Sequence, residues 1–177
     1  TGENVERLRL EALWLHKALG QPNPKIIDRC LTAKEGRVRA AAVRVLHHWI
    51  TEISGVAERL NRAIADEHPR VRLEALHALR ELKSAAAAET SIRVLDGEMD
   101  KVLEYALILN LRELEPYWAG KTMLSENMDH LAFAIRATGN TSALQPLLTA
   151  FDAGTIPATS RTAVFSLIAR HGDAAQA

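Results

Sequence analysis

The stretch DEHPRVRLEALHALREL, Asp66 to Leu82, decides the fold. Its apolar residues Val71, Ala75, Leu76, Leu79 and Leu82 fall on one side of a helix that turns about 100° per residue. Pro69 suits the first turn of that helix, where its missing N–H has no partner to lose. Moving back 33 residues sets Val71 on Val38 and Ala75 on Ala42, and a further 30 sets them on Leu8 and Ala12. Moving forward 31 reaches Val102 and Ala106. The four copies read LRLEALWLHKAL, VRAAAVRVLHHW, VRLEALHALREL and VLEYALILNLRE. A helix with one apolar stripe cannot bury it alone, so copies at this spacing stack and share a core between neighbours.

Three columns emerge. Ala12, Ala42, Ala75 and Ala106 put a small residue where neighbouring helices need to approach closely, and Leu13, Val43, Leu76 and Leu107 flank them. Arg9, Arg39 and Arg72 follow the opening apolar position, whereas the fourth copy has Leu103. Composition agrees with a helical stack: 47% of the residues are hydrophobic, enough for a continuous core, and 5% aromatic content with abundant Ala and Leu favours helix over a β-sandwich. The fold class is all-α, with about five to six antiparallel helix pairs, the last incomplete.

Charge and cysteine narrow the function classes. Lys plus Arg total 22 and Asp plus Glu total 22, so no global positive field attracts a phosphate backbone. No apolar run reaches the length of a membrane span, and the start TGENVERLRL has no signal-peptide apolar core. Starting at Thr1 in mid-pattern, the chain is expected to be part of a longer multidomain protein and a monomer by itself. Cys30 is the one cysteine, so no internal disulfide, CxxC or CxxCH motif exists, and its place on the face Ile26, Ile27, Cys30, Leu31 makes it a small core hydrophobe.

Along the chain, first helices are expected at Asn4–Leu19, Arg37–Thr51, Pro69–Leu82 and Asp100–Leu114. Second helices are expected from Pro24 to about Ala33, at Gly55–Asp66 with Ser54 as cap, and at Ser84–Leu95. Glu115-Pro116 is expected to stop the fourth first helix, with PYWAG standing where a second helix should begin. The single domain 1–177 thus divides into regular repeats at 1–114, a break at 115–125 and degenerate repeats at 126–172. In the last part Met128, Leu131, Ala132 and Ile135 mark one helix, and Leu144, Leu147, Leu148 and Phe151 the next, capped by Asn140 or Thr141. Ala163, Val164, Leu167 and Ile168 mark a final helix from Ser160 to Arg170, ended by His171-Gly172 before a frayed DAAQA.

The D-x-H-P-x-V-R-x-x-A segment from Asp66 to Ala75, echoed at Arg37 to Ala42, resembles a HEAT or HEAT-like repeat. The resemblance implies a right-handed α-solenoid and assigns the Asp and Arg, here Asp66 and Arg72, to the stacking of adjacent turns. The second copy keeps Arg39 but has Ala33 at the Asp position. More narrowly, HPRVRLEALHAL together with Met99 to Trp118 resembles the HEAT-like segment of large exported bacterial proteins. Those proteins join a sugar-dehydrogenase-like propeller to a c-type cytochrome domain. That narrower resemblance implies a connector in a redox protein and a periplasmic or exported location, while no propeller or haem motif is present in the chain.

Candidate sites are few. His16, His47, His48, His68, His77, His130 and His171 include no HxxxH or HExxH pair that would set two imidazoles on one helical face, so no metal or other cofactor is expected. Arg7, Arg9, Arg37, Arg39, Arg44, Arg70, Arg72 and Arg80 could line a phosphate-binding groove, as in HEAT-like DNA glycosylases, the alternative reading. Glu6, Glu11, Glu74 and Glu81 share those helices, and Arg beside Glu at helical spacing mostly solvates a face or ties turns together. Trp14 and Trp49 read as core or inter-repeat packing. Tyr117 and Trp118, at the break, either plug the core or present a binding surface to a protein partner, a flanking domain or another subunit. No paired carboxylates, Ser-His-Asp set or Gly-rich phosphate loop assembles, so the expected role is a non-catalytic interaction or domain-linking scaffold.

Overall fold

A computed structural model describes residues 2–121, 127–156, 158 and 161–171. The described residues form ten α-helices and no strand: α1 Gly2–Ala18, α2 Pro24–Leu31, α3 Gly36–His48, α4 Val56–Ala63, α5 Pro69–Glu81, α6 Ala85–Ile92, α7 Lys101–Trp118, α8 Met128–Thr138, α9 Gln145–Asp152 and α10 Arg161–His171. Single 3-10 turns at Arg93–Asp96 and Thr141–Leu144 extend α6 and lead into α9. The first helices α1, α3, α5 and α7 pack side by side, and each second helix lies against its own first helix and the next one. This is an α-solenoid.

Short polar signals set the boundaries. The side chains of Asn23, Glu35, Ser84, Asp100 and Asn127 each accept a backbone N–H at the start of their helix, giving partners to N–H groups that a helix leaves orphaned. His68 does the same for α5, its Nδ1 accepting from Arg70 N at 3.2 Å. Its ring lies against Gly36, where a Cβ would come within 2.3 Å of His68 Cδ2, so glycine at 36 is what lets two repeats close there. Ser54 does not cap α4. Gly55 holds that position at φ 70°, and Ser54 lends its carbonyl to Arg59 Nη1 at 2.7 Å instead.

One continuous core runs through the stack. Leu13, Val43, Leu76 and Leu107, the flanking column of the four copies, are all fully buried. Of the alanine column, Ala42 and Ala75 are fully buried, while Ala12 and Ala106 are half-buried. In α7 the buried row is Leu103, Leu107, Asn110, Leu111 and Leu114, with Val102 exposed. That row lies 32 residues beyond Val71, Ala75, Ala78, Leu79 and Leu82, not 31. Burial of four leucines sets the rotation of α7, and that preference wins over the position of a single alanine.

The expected stop at Glu115-Pro116 is corrected. α7 runs through Pro116 to Trp118, and α8 packs on it as second helix of the pair. A proline inside a helix forfeits one hydrogen bond and crowds the preceding turn, costing about 3 kcal/mol. Here it sits in the last turn, followed by Trp118, which is fully buried and donates its indole Nε1 to Leu111 O at 3.2 Å. Burying a tryptophan is worth a comparable amount, so the helix holds to its end. In the later part, Asn140 caps the 3-10 turn through Ser142 N, and Leu131, Ile135, Leu144, Leu147, Val164, Leu167 and Ile168 are buried. The expected boundaries at Ser125, Ser160 and Gly172, the 173–177 tail and the side chain of Ala163 lie outside the described residues.

Candidate functional site

The charged side chains are the place to look for chemistry, and they are spent on joining repeats. Arg39, buried near the start of α3, reaches forward to the loop before α5. Its Nε donates to Asp66 Oδ2 and its Nη2 to Asp66 Oδ1, both at 2.8 Å, with Glu67 Oε1 at 3.2 Å. The same guanidinium donates through Nη1 to Ala33 O and Lys34 O, satisfying the end of the preceding pair. Asp66 is therefore tied to the Arg of the previous copy and not to Arg72. A fork meeting a carboxylate in two parallel bonds is the strong form of this contact.

Arg72 repeats the reach without the carboxylate. Its Nη2 donates to Glu98 O at 2.6 Å, and Gly97 stands beside it, where a Cβ would come within 2.1 Å of Nη1. Its Nε is buried without a hydrogen-bond partner. In the first copy Glu6 does the joining, accepting from Lys34 N at 2.8 Å and Glu35 N at 3.2 Å. The Lys34 N–H bond is what chiefly holds the Glu6 carboxyl below its ordinary pKa.

A second line of contacts joins the second helices, and a reading centred on the first helices missed it. Arg59 Nε and Nη2 donate to Asp28 Oδ1 and Oδ2 at 2.6 and 2.8 Å across 31 residues, and Arg93 Nη1 donates to Asn61 Oδ1 at 2.5 Å across 32. The spacing of Asp28 and Arg59, one repeat apart, was the available signal. The Arg59 bond also pulls the Asp28 carboxyl below its usual pKa. Asp28, Glu58, Arg59, Arg62 and Asp66 line a groove of about 330 Å³; three of these five charged groups are engaged in ties between repeats, and the other two, Glu58 and Arg62, lie 3.8 Å apart as an ion pair.

On the first helices Glu74 is a buried carboxylate held by Arg44 of α3 and by Arg70, whose Nη2 lies 3.0 Å away. Burial pushes its pKa up, but Arg44, then Arg70 and His77 pull it down further, so it rests below the ordinary glutamate value. Burial lowers the pKa of His77. Among the described residues no group of three or more His, Cys, Asp or Glu gathers as a metal site. His16 meets Asn23 at 3.0 Å, and His130 lies 3.1 Å from Asp96. Cys30 is fully buried, and burial raises its thiol pKa, away from the reactive thiolate.

Of the two aromatics at the end of α7, Trp118 lies in the core while Tyr117 remains 38% exposed. Trp49 is buried as expected, but Trp14 is 51% exposed on α1, a correction to its reading as packing. The reason is rotational: Leu10 and Leu13 turn toward the core, and Trp14 falls outside the face they define. Other large apolar side chains left in solvent are Val5, Leu8, Leu15 and Leu19 on α1, Val102 and Tyr105 on α7, and Phe165 on α10. No described helix is long and apolar enough to cross a membrane.

Comparison with curated proteins and with solved structures returns no match. The family model of HEAT repeats matches residues 23–112, which is just over half of the 177-residue chain and spans α2 to most of α7. With four copies at one spacing, a shared core and ties from each repeat to the next, the chain belongs to the HEAT-repeat family.

Proposed function

We propose that this chain is a protein-interaction scaffold, in keeping with the general role of HEAT repeats. The observation that carries the reading is the fate of the arginines. Arg39, Arg44, Arg59 and Arg70 are each engaged by a carboxylate of the stack, and Arg72 is buried on a backbone carbonyl. A phosphate-binding groove of the DNA-glycosylase type would need them facing solvent and unpaired. The partner is a protein, and Tyr117, beside the anchored Trp118, is the side chain offered to it at the end of α7. The finer reading is a connector between a dehydrogenase-like propeller and a cytochrome domain of an exported protein; its support is the pair of stretches at 68–79 and 99–118.

The test is incubation with alkylated and abasic duplex DNA, followed by base release and by binding across a salt series. The scaffold reading expects neither release nor a steep salt slope. Base release that disappears when groove carboxylates such as Asp28 are replaced overturns it. For the docking position, Tyr117→Ala should weaken binding to an adjoining domain at least about tenfold with an unchanged melting temperature. Unchanged binding removes Tyr117 from the reading.

A further inference from the structure

The first helices carry a charge pair that the second copy leaves incomplete. At corresponding positions the copies read Arg7 and Glu11 in α1, Arg37 and Ala41 in α3, and Arg70 and Glu74 in α5. Four residues is about one helical turn, which sets a glutamate beside its arginine. Arg7 Nε and Glu11 Oε1 are 3.0 Å apart, and so are Arg70 Nη2 and Glu74 Oε1. In α3 the half-buried Ala41 takes the place of the acid, and exposed Arg37 has no ion pair among the described residues.

The neighbouring copies do not make up the deficit. Arg44, two turns beyond Arg37 on the same face of α3, crosses to Glu74 of α5, so that carboxylate already serves both Arg44 and Arg70. The two guanidiniums remain 54% and 52% exposed, while Glu74 is 5% exposed beneath them. Glu11 and Glu113 are engaged by Arg7 and Arg80, and Glu35 accepts the backbone N–H of Arg37. Arg37, Arg44 and Arg70 thus have one buried carboxylate among them. Apolar side chains border this centre. Trp14, 51% exposed, holds in α1 the position from which Arg44 reaches Glu74, so by the repeat it stands toward Ala41. Val102, 59% exposed, holds in α7 the position of Arg70. Arg44 and Arg70 are exposed although first helices flank them on both sides, so this face is solvent-facing independently of the ends of the chain.

We propose that the solvent face of α3 at Ala41 receives a carboxylate from an acidic segment of a protein partner, in the place that a glutamate holds in the neighbouring copies. The small side chain of Ala41 leaves room for it, and Arg37 and Arg44, on either side along the helix, supply unspent N–H donors. Trp14 and Val102 fit apolar side chains flanking the acid, which a peptide carries and a phosphate backbone does not. A run of phosphates would also meet Glu11 and Glu74 at the same level of the adjoining helices, whereas a single carboxylate matches the local excess of positive charge. The proposal rests on the scaffold reading and gives it a partner chemistry.

Fluorescence polarisation of a short labelled peptide of Glu, Leu and Ser, beside its counterpart with Gln for Glu, tests it. The Glu peptide should bind at low salt and weaken as salt rises, and the Gln peptide should bind at least about tenfold more weakly. Arg37→Gln should weaken the Glu peptide about tenfold, and Ala41→Glu, which supplies the carboxylate from within the chain, at least as much. Both variants should keep the wild-type melting temperature. Arg62→Gln, the same loss of charge on the exposed side of α4, should leave binding unchanged. No binding, equal binding of the two peptides, wild-type binding by Ala41→Glu, or an equal effect of Arg62→Gln overturns the proposal. Displacement of the peptide by duplex DNA more readily than by unlabelled Glu peptide also overturns it, in favour of a phosphate site. Base release from DNA and the Tyr117→Ala comparison judge the scaffold reading separately, so the two fail by different measurements.

Discussion

Replacing Asp66 by alanine tests the central claim that buried charge ties one repeat to the next. Three donors converge on this carboxylate: Arg39 Nε and Nη2 at 2.8 Å each and His68 N at 2.9 Å. The side chains of Arg39 and Asp66 are 11% and 15% exposed, so water replaces little of what is lost. Removing one partner of such a pair strands a buried charge, which costs about 3–5 kcal/mol. Ala33 O, Lys34 O and the solvent-exposed Glu67 still hold the guanidinium, which places the expected loss near the lower end, about 3 kcal/mol. For a chain of this size that is a fall in Tm of roughly 6–12 °C. Urea and thermal melts of Asp66→Ala, Arg39→Met and the double variant close a cycle. Because the double variant strands no charge, it should recover at least about 1 kcal/mol relative to the sum of the singles. A single variant within about 1 °C of wild type, or strictly additive singles, would refute the reasoning.

Four other outcomes follow from the same geometry. Arg72→Met removes a buried cation that has a carbonyl but no carboxylate, so its stability should stay within about 1 kcal/mol of wild type, against a clear loss for Asp66→Ala in the same melts. Ala75→Leu overpacks the fully buried alanine column and should cost about 1–3 kcal/mol, whereas Glu81→Leu on the exposed side should change the melt little. Trp118→Ala opens the core at the end of α7 and should cost about 3–5 kcal/mol in a urea titration; a smaller loss than Tyr117→Ala would contradict the burial of Trp118. Burial holds His77 below the ordinary histidine value of 6.5, so the unfolded chain takes up its proton first and stability should fall as pH drops below 6.5. In His77→Gln that part of the slope should vanish, while the acid loss below 4.5, from the depressed carboxyl of Glu74, remains.

Much of the stack was legible because it rests on periodicity. Leu13, Val43 and Leu76 recur at spacings of 30 and 33 residues and are all fully buried, so a pattern in sequence maps directly onto burial. Where two local preferences compete, the pattern misled. Pro116 read as a stop because its own cost is visible, while the compensating burial of Trp118 and its bond to Leu111 O are tertiary. The one-residue rotation of α7 has the same origin, since four leucines outweigh Ala106 only once a neighbour is present. The Arg column and Asp66 were visible, but not which copy each would reach. The stacking of α3 against α5 is what brings Arg39 to Asp66, one repeat ahead. Tyr117 and Trp118 were adjacent letters with opposite fates, separated by the 100° between successive helix positions.

The uneven chemistry of the ties gives the stack a mechanical grain. Between the second and third pairs a forked guanidinium–carboxylate bond on the first-helix side adds to packing, and Asp28 and Arg59 brace the first and second pairs from the other line of helices. Between the third and fourth pairs buried Arg72 rests on a carbonyl and Asn110 donates to Leu76 O, while Arg80 meets the half-solvated carboxylate of Glu113, the one of these three ties that salt screens. Pulled from its two ends, such a rod does not bend uniformly. The α3–α5 joint resists through a charged fork and the α5–α7 joint through buried bonds to carbonyls, so the two respond differently to a change of salt.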